Sequence, residues 1–148
     1  GPNIVTSLEL DPAEMEKRNI HLQQKYAEIE EKEVRYEEIH CDDAEYLIVA
    51  FGSCARIAQK AMEEARAEGI KVGLLRPITL WPFPSKAIAE RSRQVKGILT
   101  VELNAGQMVE DVRLAVECKV PVEYFGRLGG IVPDPDEVVT ALKEKIIK

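Results

Sequence analysis

The rhythm of apolar positions along this chain changes near Asp42, and the change divides it in two. Before that point, Met15, Leu22, Tyr26 and Ile29 recur at helical spacing among many charges, which predicts a helix with one narrow apolar seam. Asp11-Pro-Ala-Glu14 marks its start. Asp11 can cap free backbone N–H groups, Pro12 suits the first helical position, and Glu14 has the spacing to return a bond to the cap. So thin a seam, beside the charged run Glu28 to Glu33, suits one contact line across the main domain or a partner better than a core. Val34 to Ile39 then predicts a short edge strand with Val34 and Tyr36 on one face.

From Glu45 onward, strand and helix patterns alternate. Tyr46 to Phe51 is apolar on both faces, as a central parallel strand must be. Gly52-Ser53 makes a turn, and Ile57, Ala58, Ala61, Met62 and Ala65 form the inner face of a helix that Gly69 ends. Lys71 to Leu75 predicts the next strand, and Pro77, Pro82 and Pro84 predict a fixed loop over Arg76 to Phe83 that carries Trp81 and Phe83. A short helix to about Val95 precedes a strand at Ile98 to Glu102. Met108, Val112, Ala115 and Val116 then line the buried side of a further helix. Val120 to Phe125 gives a last strand, placed towards an edge by Pro121. Asp134-Pro-Asp-Glu137 repeats the capping grammar and opens a helix with Val138, Leu142 and Ile146 aligned. This order predicts an α/β fold: a three-layer α/β/α domain with a mainly parallel sheet over residues 42–148, preceded by a helical arm over 1–41.

Composition narrows the classes. A chain of 148 residues holds one core and an appendage, and 45% apolar with 31% charged residues is the balance of a soluble globular protein. No apolar run approaches the ~20 residues of a membrane span, and no charged segment followed by an apolar one opens the chain, so a cytoplasmic protein without a membrane partner is expected. A net charge of −6, with basic residues scattered among acids, argues against nucleic acid as a partner. Cys41, Cys54 and Cys118 form neither a C-x-x-C pair nor a cluster with histidine, so no metal or iron–sulfur site is expected within the chain. Cys54 and Cys118 read as small buried apolar residues. His21 and His40 lie in the charged arm and read as solvated.

In an open parallel sheet, ligands and partners meet the loops at the carboxyl ends of the strands. That edge is predicted to gather Gly52 and Ser53; Arg76 and Trp81; Glu102, Asn104 and Gln107; and Arg127, Gly129 and Gly130. Gly52-Ser53 at a helix start has N–H groups for an anion, but a lone turn of this kind is more often structural, and neither G-x-G-x-x-G nor G-x-x-x-x-G-K-[ST] is present. Glu102 has the placement to accept a hydrogen bond from a partner or from Arg127, and no acid and base pair is evident. Trp81 and Phe83 between prolines suit either an interface anchor or packing on their own domain.

The run from Val101 to Arg113 passes from an apolar strand through a polar, glycine-bearing turn into a helix. Together with Leu75-Arg-Pro-Ile-Thr-Leu-Trp-Pro-Phe-Pro84 before it and Phe125-Gly-Arg-Leu-Gly-Gly130 after it, this stretch resembles the C-terminal part of the α subunit of 2-oxoacid:ferredoxin oxidoreductases. The similarity is strongest from Asp42 to Gly130, and its style is closest to the 2-oxoglutarate and 2-oxoisovalerate members. The resemblance implies a domain with the transketolase C-terminal fold, placed beside the domains that hold thiamine diphosphate and Mg2+. It implies a parent enzyme that converts a 2-oxoacid and coenzyme A to acyl-CoA and CO2, passing electrons through iron–sulfur clusters to ferredoxin. Expected partners are the rest of the α subunit, the β subunit and γ or δ subunits, and two copies are expected to pair. The thiamine motif G-D-G…N-N and ferredoxin-like cysteines are missing here, and no catalytic residue carries over. The resemblance thus implies a role in assembly, with Arg127 and the Gly129-Gly130 turn near the coenzyme A or substrate entrance. Two alternatives stay open: a free-standing phosphate-binding α/β domain, and the C-terminal domain of a 2-oxoacid dehydrogenase β subunit.

Overall fold

A computed structural model describes residues 1–2 and 8–147. Its sheet has five strands in the order β1-β3-β2-β4-β5, formed by β1 (Tyr36–Ile39), β2 (Tyr46–Ala50), β3 (Val72–Pro77), β4 (Ile98–Glu102) and β5 (Val122–Gly126). β2 to β5 run parallel, and β1 pairs antiparallel with β3. The helices are α1 (Pro12–Lys32), α2 (Gly52–Ala67), α3 (Ser85–Arg91), α4 (Met108–Val116) and α5 (Pro135–Leu142), the last continued by a π-helical turn, Lys143–Ile147.

Alternation along the strands builds two cores. Ile48 and Ala50 of β2 meet Leu99 and Val101 of β4 under α2 and α5, while Leu47 and Val49 meet Leu75 and Ile98 under α3 and α4. Strand order reverses between β2 and β4, since the chain goes from β2 to one side and then returns to the other. The predicted three-layer architecture is therefore present. Helix α2 lies close to the sheet because its inner face is Ala55, Ala58, Ala61 and Ala65, all buried. The chain also crosses tightly over β3. A Cβ on Gly73 would lie 2.9 Å from the His40 carbonyl oxygen and 3.0 Å from Cys41 Cα, so only glycine fits there.

Several boundaries differ from expectation for identifiable reasons. Arg76 and Pro77, expected in a loop, extend β3, because β1 supplies an antiparallel partner that pairs Glu37 with Arg76 and Tyr36 with Pro77. Proline can end such a strand at this edge, where no further ladder bond is needed. Cys118, expected to be buried, is exposed, because it falls in a turn of two left-handed residues, Glu117 and Cys118, beyond the end of α4. Cys41 and Cys54 are buried, and burial pushes the Cys41 thiol up to about 11, with the Glu38 carboxylate adding to the rise. In the arm, Asp11 accepts from the Ala13 and Glu14 N–H groups as predicted, but the Glu14 carboxylate accepts from Lys17 Nζ instead of returning to the cap. β5 does lie at the edge, and its outward carbonyls are covered by cations: Arg113 donates to the Val122 oxygen and Lys145 to the Tyr124 oxygen. Long basic side chains of this kind block pairing with a further strand.

The arm is tied on at its root. Arg91 of α3 grips Glu38 of β1 with two hydrogen bonds of 3.0 and 2.6 Å, and Gln94 donates to the Cys41 carbonyl. α1 itself has no buried residue; Tyr26 meets Trp81 edge to face, with ring centroids 5.6 Å apart. Among the described residues no helix is long and apolar enough to cross a membrane.

Candidate functional site

Because β2 to β5 are parallel, their following loops all leave one edge of the sheet, and the predicted candidates occupy it. At its centre, where strand order reverses, the starts of α2 and α4 sit after the neighbouring strands β2 and β4. A helix start presents unpaired N–H groups and the positive end of its dipole. The two starts are treated differently.

Glu102 ends β4 fully buried, and its carboxylate turns onto the start of α4. Oε2 accepts from the Met108 N–H at 2.8 Å and the Gln107 N–H at 3.2 Å, and Oε1 accepts from the Val109 N–H at 3.0 Å. The chain thus supplies its own anion to this helix. Nothing here matches the expectation that Glu102 accepts from Arg127; that guanidinium is engaged by Glu137 of α5. The reason is reach: α4 begins six residues beyond Glu102, and the N–H groups at its start already satisfy the carboxylate.

Asn104 shapes the connecting loop. Its side-chain oxygen accepts from the Gly106 N–H at 2.7 Å, and its carbonyl accepts from the Tyr124 hydroxyl of β5. Gly106 adopts a left-handed φ of +99°, and a Cβ there would crowd Val109 at 3.2 Å. Gln107 contributes its backbone N–H to Glu102 and leaves its side chain exposed. The buried charge has electrostatic consequences: burial and then Glu102 raise the Cys54 thiol, and burial, Glu102 and Cys54 raise the Tyr124 phenol. Both stay neutral near neutral pH, so no thiolate nucleophile forms beside Glu102.

The start of α2 has no side-chain cap; Gly52, with φ +57°, and Ser53 are exposed there. Arg76 lies half-buried on β3 and bonds Glu37 at 3.0 Å, away from the reversal point. Trp81 is 55% exposed, whereas Phe83 packs against the α3 and α4 core. Gly129 and Gly130 both take left-handed φ in an open turn after Arg127. The structure therefore brings Gly52, Ser53, Glu102, Asn104 and Gln107 to one place, with Arg127, Gly129 and Gly130 beside it and Arg76 and Trp81 further along the edge. Residue-type reasoning missed Tyr124 and Glu137. The capping pattern flagged Glu137 as a cap, and it does return to the Asp134 N–H, but its grip on Arg127 ten residues earlier had no local signal.

Two consequences are measurable. Glu102→Ala leaves buried N–H groups without an acceptor and is expected to lower unfolding free energy by about 3 kcal/mol or more, at roughly 1–3 kcal/mol per stranded group; urea unfolding with a loss below about 1 kcal/mol would show that water replaces the carboxylate. The Arg127 guanidinium, then the Asp134 N–H, hold Glu137 below its ordinary 4.5. A carboxyl lowered in the folded state adds stability above its unfolded pKa, and that contribution disappears as pH falls through the folded value. Arg127→Ala is therefore expected to move the Glu137 titration, followed by carboxyl NMR, back towards 4.5 and to flatten the acid limb of the stability profile.

Comparison with known proteins fits this geometry. Residues 44–138 match the family described as pyruvate:ferredoxin oxidoreductase core domain II. Subunit VorB of the ketoisovalerate oxidoreductase of Methanothermobacter thermautotrophicus is 51% identical over 142 residues, 96% of this chain and 40% of that protein. Subunit KorA of the 2-oxoglutarate synthase of Methanothermobacter marburgensis is 33% identical over 68% of this chain and 27% of its own length. Among solved structures, the 2-oxoglutarate:ferredoxin oxidoreductase of Magnetococcus marinus, with 2-oxoglutarate, coenzyme A and succinyl-CoA bound, superposes on 92% of this chain with a TM-score of 0.78 at 25% identity, covering 24% of that chain. A split-gene transketolase shares the fold, with a TM-score of 0.65 over 74% of this chain and 40% of its own. The chain spans 40% of the length of the VorB relative and of the transketolase, and less of the KorA relative and the Magnetococcus marinus enzyme. On the match over residues 44–138, it belongs to the pyruvate:ferredoxin oxidoreductase core domain II family.

Proposed function

We propose that this chain is the core domain of the α-type subunit of a 2-oxoacid:ferredoxin oxidoreductase whose substrate is 2-oxoisovalerate, and that it serves assembly and site closure instead of bond making. The observation that carries the substrate is the contrast between 51% identity over 96% of the chain to a ketoisovalerate enzyme and 33% over 68% to a 2-oxoglutarate enzyme. The residues support the non-catalytic role. An Mg2+ site draws on carboxylate ligands, and the one buried carboxylate at the reversal point is spent on the N–H groups at the start of α4. No step of the reaction is routed through this chain on that reading. Thiamine diphosphate, Mg2+, iron–sulfur clusters and ferredoxin belong to the accompanying parts of a cytoplasmic complex, with β and γ or δ subunits as partners. Within the chain, residues 1–41 act as the arm and 42–148 as the domain.

The enzyme containing this chain is expected to reduce a viologen dye with 2-oxoisovalerate and coenzyme A at a kcat/KM about ten-fold or more above that with 2-oxoglutarate. A reversed preference would move the chain to the 2-oxoglutarate class. The proposed coenzyme A entrance makes a second demand on the same assay. Gly52 and Ser53 offer the open start of α2, and Arg127 with Gly129 and Gly130 forms the neighbouring rim. Arg127→Ala is expected to raise the KM for coenzyme A about ten-fold, the worth of one lost charged hydrogen bond, with little change in kcat. Glu137→Gln, which breaks the pair but keeps the guanidinium, is expected to leave that KM unchanged or lower it; a KM that rises equally in both variants would assign Arg127 a structural role alone.

A further inference from the structure

Helix α1 is 21 residues long, and none of them is buried. The ion pairs along it are local: Lys17 with Glu14, Arg18 with Glu9 and Lys32 with Glu28. Pairs of this kind stabilise a helix only weakly. Most helices in proteins owe their stability to the burial of an apolar face, as α2 does with its alanines. α1 has such a face, Met15, Leu22, Tyr26 and Ile29, and its own domain does not bury it.

The spacing of that face says what kind of partner fits it. Met15, Leu22 and Ile29 stand seven residues apart, and Asn19 and Tyr26, also seven apart, alternate with them. In heptad terms the seam runs d-a-d-a-d, the period of about 3.5 residues that a coiled coil requires. Two rows of opposite character flank it. Arg18, Lys25 and Lys32 take the g positions, whereas Glu16, Gln23 and Glu30 take the e positions. In an antiparallel pair of such helices, g meets g and e meets e, which sets the basic row against a basic row. In a parallel pair each g meets the following e of the other helix, which brings Lys25 to the second copy's Glu30 and Arg18 to its Gln23. The rows complement themselves in the parallel orientation alone. Asn19 adds a register signal, because a single asparagine at an a position fixes register and oligomer state.

We propose that two copies of this chain pair through α1 as a parallel, two-stranded coiled coil centred on Leu22, with Lys25 of each helix facing Glu30 of the other. The α/β domain follows the C-terminal end of α1, so both domains of the pair lie at the same end. Tyr26 rests edge to face on Trp81 yet stays 38% exposed, so the domain braces that end of the seam without covering it. The resemblance implies that copies pair; the heptad assigns the contact to the arm and sets its orientation. Nothing in this assignment depends on which 2-oxoacid is turned over. A seam from Met15 to Ile29 is short for a coiled coil, so the pair exchanges with single copies and is best detected by covalent trapping.

The test is disulfide trapping on the 148-residue chain in a Cys118→Ser background, which removes the exposed native thiol and leaves Cys41 and Cys54 buried. Met15→Cys and Leu22→Cys each place a thiol against its own counterpart in a parallel pair, whereas Gln24→Cys lies on the opposite side of α1. Under mild oxidation the first two are expected to give covalent dimer, read on a non-reducing gel, at about ten-fold or more the yield of the third, because a disulfide forms only between closely placed Cα atoms. Lys25→Glu added to Leu22→Cys is expected to lower the yield by setting glutamate against Glu30, and Glu30→Lys added to both is expected to restore it. These two positions are five apart and do not face each other on one helix, so the rescue reads a contact between copies. Dimer from Leu22→Cys without dimer from Met15→Cys would overturn the proposal in favour of an antiparallel pair. Equal yields at all three positions, or a loss that Glu30→Lys does not restore, would show encounters without a defined seam. Absence of dimer at every position would leave α1 to a partner other than a second copy.

Discussion

Glu102 brings a full negative charge to a place from which water is excluded, and such a charge persists only where hydrogen-bond donors replace its hydration. Three consecutive backbone N–H groups, of Gln107 before α4 and of Met108 and Val109 in its first turn, do so. The arrangement ties together four things that are otherwise independent: where β4 stops, how the loop over residues 103–106 turns, where α4 starts, and how closely α4 approaches the sheet. Tyr124 extends the tie to β5 through the Asn104 carbonyl. The carboxylate that holds the edge is, for the same reason, unavailable as a general base. A base must offer a lone pair to a substrate proton within hydrogen-bond reach, and the carboxylate of Glu102 instead faces the start of its own helix.

That constraint acts on a sheet whose inner strands have no solvent face. β2 is covered by α2 and α5 on one side and by α3 and α4 on the other. A strand buried on both faces cannot slip by one residue without exchanging its two cores, and side chains of different size in the two layers make the exchange costly. Alanines on α2 and Gly73 on β3 let helix and crossing chain approach closely. The result is a rigid platform whose variable features are confined to the carboxyl edge and the arm.

Most of this platform was legible in the chain, because its logic is local and periodic. The both-face apolarity of Leu47 to Ala50 announces a central parallel strand, and Asp134 to Glu137 announces a helix start that forms as a full capping box. What was not legible depends on partners remote in sequence. Arg76 and Pro77 read as loop until β1, nearly 40 residues earlier, is seen to pair with them. Glu102 reads as a group awaiting a partner, since no periodicity says that a helix start six residues on will take it. Arg127 reads as a partner for Glu102 or a group at the coenzyme A entrance, because Glu137 has an apparent use as a cap and in fact carries both duties. Cys118 was misread by assigning a residue type its usual burial in a stretch where a left-handed turn sets exposure.

The same distinction between local and remote determinants explains the division of labour at the edge. Most hydrogen-bonded polar groups there find partners within the domain, Glu102 in the start of α4, Asn104 in Gly106 and Tyr124, and Arg127 in Glu137, while the Arg127 Nε is buried without a hydrogen-bond partner and the start of α2 has no side-chain cap. Apolar groups there are left half-exposed. These bonds shape the loops after β4 and β5 from within the domain. Under the proposed function, a domain built this way joins a cofactor-binding neighbour as a finished part, and its contribution to chemistry is positional: it sets distance and orientation and makes no bond itself.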